Sequence, residues 1–228
     1  MPRVFFIPGF GESELVFSKI APELPGDHTF VDVWSLLGDQ PRPTTTVPDF
    51  ARELIDQYAL TPDDLLIGHS MGGWIAYHIK QCVGCPIVQI ASWTEADRVA
   101  FPLKNLAVVA PLVRAGVVFT PLYKWMTVQL EYKKKPSRSI FEDAFDRLIN
   151  SPKEAVVNQL RLILTPVKPL KPVVPDLRIH ARADTIIKPP KEPFHEVPGD
   201  HFTLFTHPET VVAPIRALLA KAEHRQVD

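Results

Sequence analysis

The sequence predicts an α/β fold, a mostly parallel open sheet flanked by helices with an inserted helical cap. Three observations point there. Short continuous apolar runs recur along the chain, stretches of helical periodicity lie between them, and residues 95–172 replace that alternation with helical patterning and a proline-rich linker. Runs this short and rich in Val, Ile and Phe suit parallel strands covered on both faces.

The first run, RVFFI (3–7), is a strand that stops at Pro8 and Gly9. ESELVFSKIAPEL then spaces Leu15, Ile20 and Leu24 for one helical face, and TFVDVW (29–34) follows as the second strand. In TVPDFARELIDQYAL, Phe50, Leu54, Ile55 and Tyr58 define a face, Thr46 is placed to cap it, and Pro48 falls in the first turn, where its missing N–H is tolerated. DLLIG (64–68), PIVQIAS (86–92), DLRIHA (176–181) and FHEV (194–197) are the remaining strands, with GWIAYHIK as the helix after the third. Residues 95 to 165 read as helices, including the aromatic stretch from Phe101 to Tyr132. TPVKPLKPVVPDL carries a proline every few residues and reads as an extended linker. HPETVVAPIRALLAKAEHR is a final helix that Pro214 should kink or delay. The core is therefore expected over 1–94 and 173–228, with 95–172 as the cap insertion and linker.

With 228 residues the chain is long enough to bury a core without metals or disulfides. A formal net charge of -1 leaves no electrostatic footprint for nucleic acid, and Lys133 to Lys135, followed by Pro136, read as a solvated loop or helix end. The apolar run Val4 to Ile7 is too short for a secretory signal. The longest candidate span, Leu106 to Phe119, is interrupted by Pro111 and Arg114, short of the roughly 18 apolar residues a bilayer requires. A soluble, cytoplasmic protein with no membrane span is expected. Cys82 and Cys85 form a lone C-x-x-C beside Gly84 and Pro86, and are expected to be reduced structural thiols.

The chemistry concentrates in LLIGHSMGGW. A G-x-S-x-G segment between a strand and a helix makes a sharp turn in which Gly68 and Gly72 let backbones pass closely and Ser70 presents its hydroxyl at the sheet edge. A serine so placed needs a base, and EVPGDHF offers His201 on a loop after the last strand. The base needs a carboxylate, and IHARADTIIKP supplies Asp184, with Glu95 or Asp97 in ASWTEAD as reserve acids. Two backbone N–H donors are required for an oxyanion: that of Met71, after the serine, and that of Phe10 in IPGFGES, with Gly9 as a substitute. His69 and His78 are read as structural. GFGES is not a dinucleotide fingerprint, because Glu14 stands where a third glycine is needed, so no NAD site follows.

These four motifs, FFIPGFGES, LLIGHSMGGW, IHARADTIIKP and VPGDHF, in this order, resemble the α/β-hydrolase superfamily over residues 1–94 and 173–225. The resemblance implies a catalytic triad of Ser70, Asp184 and His201, an oxyanion hole at Phe10 and Met71, and a cap at the inserted helices. The chain departs from the superfamily in two places. It lacks the usual leading antiparallel strands, and TIIKPPKEP between Asp184 and His201 has no helical face. Trp34, Trp93, Phe119 and Trp125 are expected to line the substrate pocket, among other cap side chains such as Phe101, Tyr123 and Met126.

The expected function is hydrolysis of a carboxylic ester of a small or medium, partly apolar substrate through an acyl-enzyme, with no metal or cofactor. A thioesterase or acyltransferase working on acyl-CoA or acyl-carrier substrates uses the same residues. A non-catalytic receptor for a small ligand has no physical need for all three.

Overall fold

The computed structural model describes residues 3–100, 103–167 and 171–225. Phe101 and the linker positions 168–170 lie outside these residues. Six strands, β1 (Arg3–Ile7), β2 (Asp27–Phe30), β3 (Leu65–His69), β4 (Ile87–Ile90), β5 (Leu177–Ala181) and β6 (His195–Val197), form one sheet in the order β2-β1-β3-β4-β5-β6. Every neighbouring pair is parallel. Alternation along the strands sends side chains to two cores. Val4, Phe6, Leu65 and Ile67 enter one, and Phe5, Ile7, Leu66 and Ile87 enter the other.

The chain crosses the sheet through α2 (Val47–Tyr58) and α3 (Met71–Val83) on the second core, and the short α8 (Thr203–Thr206) and α9 (Pro208–Arg225) cover the first. Four helices, α4 (Leu106–Arg114), α5 (Pro121–Thr127), α6 (Arg138–Asn150) and α7 (Lys153–Leu164), lie between β4 and β5. A π-helical turn at Val128–Tyr132 prolongs α5. Between β5 and β6 no helix intervenes: residues 182–194 pass through turns and one antiparallel bridge, Ile187 to Val99. Among the described residues no helix is long and apolar enough to cross a membrane.

Three local expectations give way to specific contacts. The second strand ends at Phe30, because the Asp32 carboxylate accepts the Ser35 N–H (3.1 Å) and opens α1 (Val33–Leu37), which puts Trp34 in a helix. The segment after β1 forms two 3₁₀ turns, Glu14–Phe17 and Ala21–Glu23, with Pro22 opening the second. Val16 and Phe17 of the first turn, Ile20 between the two and Ala21 of the second are buried, while Leu15 faces solvent. Pro214 does not delay the last helix, which starts at Pro208 and continues through it to Arg225.

The two cysteines are unbridged, and burial pushes the Cys85 thiol up to about 12, far from thiolate chemistry. His78, on α3, stands edge-on to the Trp74 ring at 4.2 Å, and neither of its ring nitrogens has a hydrogen-bond partner among the described residues. Burial holds its pKa down to about 4, against 6.5 for an ordinary imidazole. The unfolded chain therefore takes up this proton before the native one does, and stability falls as pH drops from 6.5 towards 4. We expect this to remove about 3 kcal/mol over that window, and His78→Leu to flatten that part of the urea-unfolding pH profile.

Candidate active site

Ser70 sits between β3 and α3 with φ 51° and ψ -119°, a left-handed conformation that a side-chain-bearing residue adopts only under constraint. The glycines around it supply the constraint. A Cβ on Gly72 would overlap the carbonyl of Ile7, and one on Gly68 would overlap the backbone of Gly72, so α3 is seated directly against the end of β1. The Ser70 N–H bonds the Ile90 carbonyl (3.0 Å), and the Ser70 carbonyl accepts the Ser92 hydroxyl (2.7 Å). Its own hydroxyl has no hydrogen-bond partner among the described residues. Strand order reverses between β1 and β3, and the loops leaving these two strands meet at the crevice where open parallel sheets bind ligands.

His201 follows β6, and its Nδ1 lies 2.8 Å from Asp184 Oδ2. Asp184, in the turn after β5, accepts the N–H groups of Ile186 (2.8 Å) and Ile187 (2.9 Å) on its other oxygen. Burial alone would raise the Asp184 pKa, but the His201 charge and hydrogen bond, the Ile187 N–H and His180 bring it below the usual carboxylate range. Burial alone would likewise lower His201, yet Asp184, with Glu12 and Asp200 beyond it, carries it above the ordinary value. The reserve acids are elsewhere: Glu95 is exposed and pairs with Arg98 and Lys191, and Asp97 is exposed near Arg98. The histidine loop is also tied to the inserted helices, since Asp200 accepts the Ser137 hydroxyl at the start of α6.

In the loop after β1, the Gly9 N–H is taken by Glu12 Oε2 (2.6 Å), the Gly11 N–H by Gln159 Oε1 (3.1 Å) and the Glu12 N–H by the Gly9 carbonyl (3.2 Å). The Phe10 N–H, between Gly9 and Gly11, is left without an acceptor among the described residues, and the Met71 N–H at the first turn of α3 is likewise unclaimed. Gly9 is thereby removed as a substitute donor.

Glu12 was not singled out by the sequence reading. Its carboxylate is buried and meets His69 Nδ1 at 2.8 Å, while His69 Nε2 reaches the His201 carbonyl at 2.9 Å. A carbonyl oxygen only accepts, so Nε2 carries hydrogen, and a further proton lies between Nδ1 and the carboxylate. Glu12 thus ties the loop bearing Phe10 to the loop bearing His201. The available signal was a glutamate beside two glycines together with a histidine preceding the serine, but only tertiary packing brings them together. Donor atoms of Glu12, His69 and His201 lie within 4.8 Å of one another, the spacing of a metal site. Both His69 nitrogens and His201 Nδ1 are already committed to hydrogen bonds, so this donor set fits a polar network rather than a metal.

A cavity of about 960 Å³ is lined by Pro8, Glu12, Trp34, Gly38 and Arg147 among others, and its lining includes neither Ser70 nor His201. Trp34 borders it and anchors the loop by donating Nε1–H to the Glu12 carbonyl (2.8 Å). Phe119 packs against Phe10 (5.7 Å) and Phe145 (5.8 Å), bringing the inserted helices onto the loop after β1. The structure puts two pocket candidates elsewhere. Trp93 is buried in the second core, stacked near Trp74. Trp125 is 60% exposed on the outer side of α5.

A parallel sheet with a serine at positive φ beside its switch point and a buried histidine–carboxylate pair on the neighbouring loops are features of the α/β-hydrolase fold. The sequence matches the alpha/beta hydrolase family over residues 4–214, and the chain belongs to that family. Among solved structures it is similar to an enol-lactonase from Burkholderia xenovorans (14% identity, TM-score 0.74, covering 96% of this chain and 91% of that one). It also resembles a thermophilic esterase from Thermogutta terrifontis (19%, 0.68, 97% and 90%) and a hydrolase from Oleispira antarctica (13%, 0.70, 96% and 91%). No curated protein matches the sequence.

Glu12→Ala would leave the His69 imidazole and the Gly9 N–H unpaired in the interior. The expected cost is roughly 3 kcal/mol of stability, measured by urea unfolding at neutral pH.

Proposed function

We propose that the chain is a serine hydrolase acting on carboxylic esters of small or medium, partly apolar substrates. The observation that carries this reading is the buried His201–Asp184 pair, hydrogen-bonded at 2.8 Å on the sheet edge where Ser70 is held at φ 51°. Membership of the alpha/beta hydrolase family supports a hydrolase, and the family resemblance to esterases and a lactonase in fold is compatible with acyl chemistry.

In this mechanism Ser70 Oγ attacks the acyl carbonyl as His201 Nε2 takes its proton. Asp184 keeps Nδ1 protonated and stabilises the imidazolium that forms. The Phe10 and Met71 N–H groups receive the negative charge that develops on the carbonyl oxygen. The His201 proton passes to the leaving alkoxide, and a water deprotonated by His201 then frees the acid and regenerates Ser70. Catalytic hydrogen bonds of this kind commonly tighten only with substrate in place, which accounts for an unpartnered Ser70 hydroxyl. The inserted helices α4 to α7 act as a cap that selects substrate, reaching the loop after β1 through Phe119 against Phe10.

Ser70→Ala should abolish hydrolysis of a short-chain aryl ester, and undiminished turnover in that variant would end the reading. The base must be neutral to act, and Asp184 holds its pKa above 6.5. Consequently kcat/KM should fall with decreasing pH through a midpoint above that of an ordinary histidine. Asp184→Asn removes the strongest influence that raises the His201 pKa and leaves burial opposed only by Glu12 and Asp200, so the midpoint should move down in pH while kcat falls by about 10⁴.

A further inference from the structure

Helix α5 and the turn that prolongs it carry an apolar stripe on the wrong side for a core. Leu122, Trp125, Met126 and Leu130 recur at i, i+3, i+4 and i+8, one face of a helix, and are 66%, 60%, 45% and 80% exposed. None of the α5 side chains is buried. Contact with the rest of the chain is made from other faces, by Val128 and Tyr132 in the core and by Tyr123 against Phe145. Val117, in the turn leading into the helix, is 60% exposed as well. Just beyond the stripe stand Lys133 and Lys134, both exposed, with no ion pair among the described residues. Of the neighbouring cations, Lys124 is paired with Asp146 and Lys135 lies near Asp200. Glu131 is the one acid within the segment.

We propose that this outer face of the inserted helices docks on a bilayer containing anionic phospholipid. The apolar stripe enters the headgroup boundary, with the Trp125 indole at the interface, and Lys133 and Lys134 meet lipid phosphates. Charge complementarity favours a lipid surface over an apolar protein groove, which would have to desolvate both ammonium groups. Area argues against a second copy of the chain. A twelve-residue helix is about 18 Å long and about 10 Å wide, a few hundred Å² on one face against the roughly 800 Å² per partner of a stable interface. An exposed apolar patch of that size, bordered by cations, suits reversible surface binding. The proposal concerns binding alone and stands whether or not Ser70 hydrolyses esters.

The test is co-sedimentation of the full chain with vesicles of phosphatidylcholine alone or mixed with phosphatidylglycerol, with tryptophan emission recorded. Binding is expected on the mixed vesicles, with a blue shift and weakening by salt. The double variant Lys133→Glu, Lys134→Glu should lose on the order of tenfold in partitioning. Trp125→Glu with Leu130→Glu should remove binding without changing the circular-dichroism melt, since all four side chains are already in solvent. Failure to bind mixed vesicles, or binding that both variants retain, would overturn the proposal. Concentration-dependent self-association cured by Trp125→Glu would assign the face to a second copy and overturn it equally.

Discussion

The site depends first on how closely α3 approaches the end of β1. A helix can be seated that near a strand only if its first turn has no side chain in the way, and Gly72, whose Cβ would overlap the Ile7 carbonyl, meets that condition. Two consequences follow from the one contact. Ser70 must take a positive φ to connect β3 to the displaced helix, and the first free N–H of α3, on Met71, is brought beside the loop that leaves β1. The strain at Ser70 is balanced by the backbone bonds to Ile90 and Ser92 on either side.

Around that contact the loops are fixed by a polar chain rather than by apolar packing. Glu12 holds the Gly9 N–H, His69 links Glu12 to the His201 carbonyl, and His201 reaches Asp184, which is in turn satisfied by two backbone N–H groups. Both His69 nitrogens and both Asp184 oxygens have partners, and polar groups satisfied in this way stiffen a site instead of weakening the fold. With the Gly9 and Gly11 N–H groups on either side committed, the Phe10 N–H between them has no acceptor among the described residues. Trp34 and Ser137 extend the same logic outward, tying the first loop to α1 and the histidine loop to α6.

Features governed by local pattern were legible in the sequence, and features governed by distant contacts were not. Apolar runs located β1 and β3 to β6 within a few residues, and the glycines around Ser70 marked the turn because close backbone approach leaves a compositional trace. The absence of a helix between Asp184 and His201 was readable from three prolines. By contrast, TFVDVW has strand composition, yet Asp32 capping Ser35 converts its second half to helix. Trp93 and Trp125 are both aromatic and adjacent to expected pocket segments, but one turns into the core and the other to solvent, a choice made by packing. Glu12 is the clearest omission. A single glutamate in a glycine-rich loop has no periodicity, and its buried role exists only because His69 and His201 arrive from elsewhere in the chain.

The central claim is that Ser70 is a nucleophile activated by His201 and Asp184. Intact-mass analysis after exposure to a fluorophosphonate, with His201→Ala alongside, tests it directly. The account predicts one adduct per chain, mapped to Ser70 and absent from the His201→Ala variant. No adduct on the native chain, or an adduct that survives loss of His201, would contradict it.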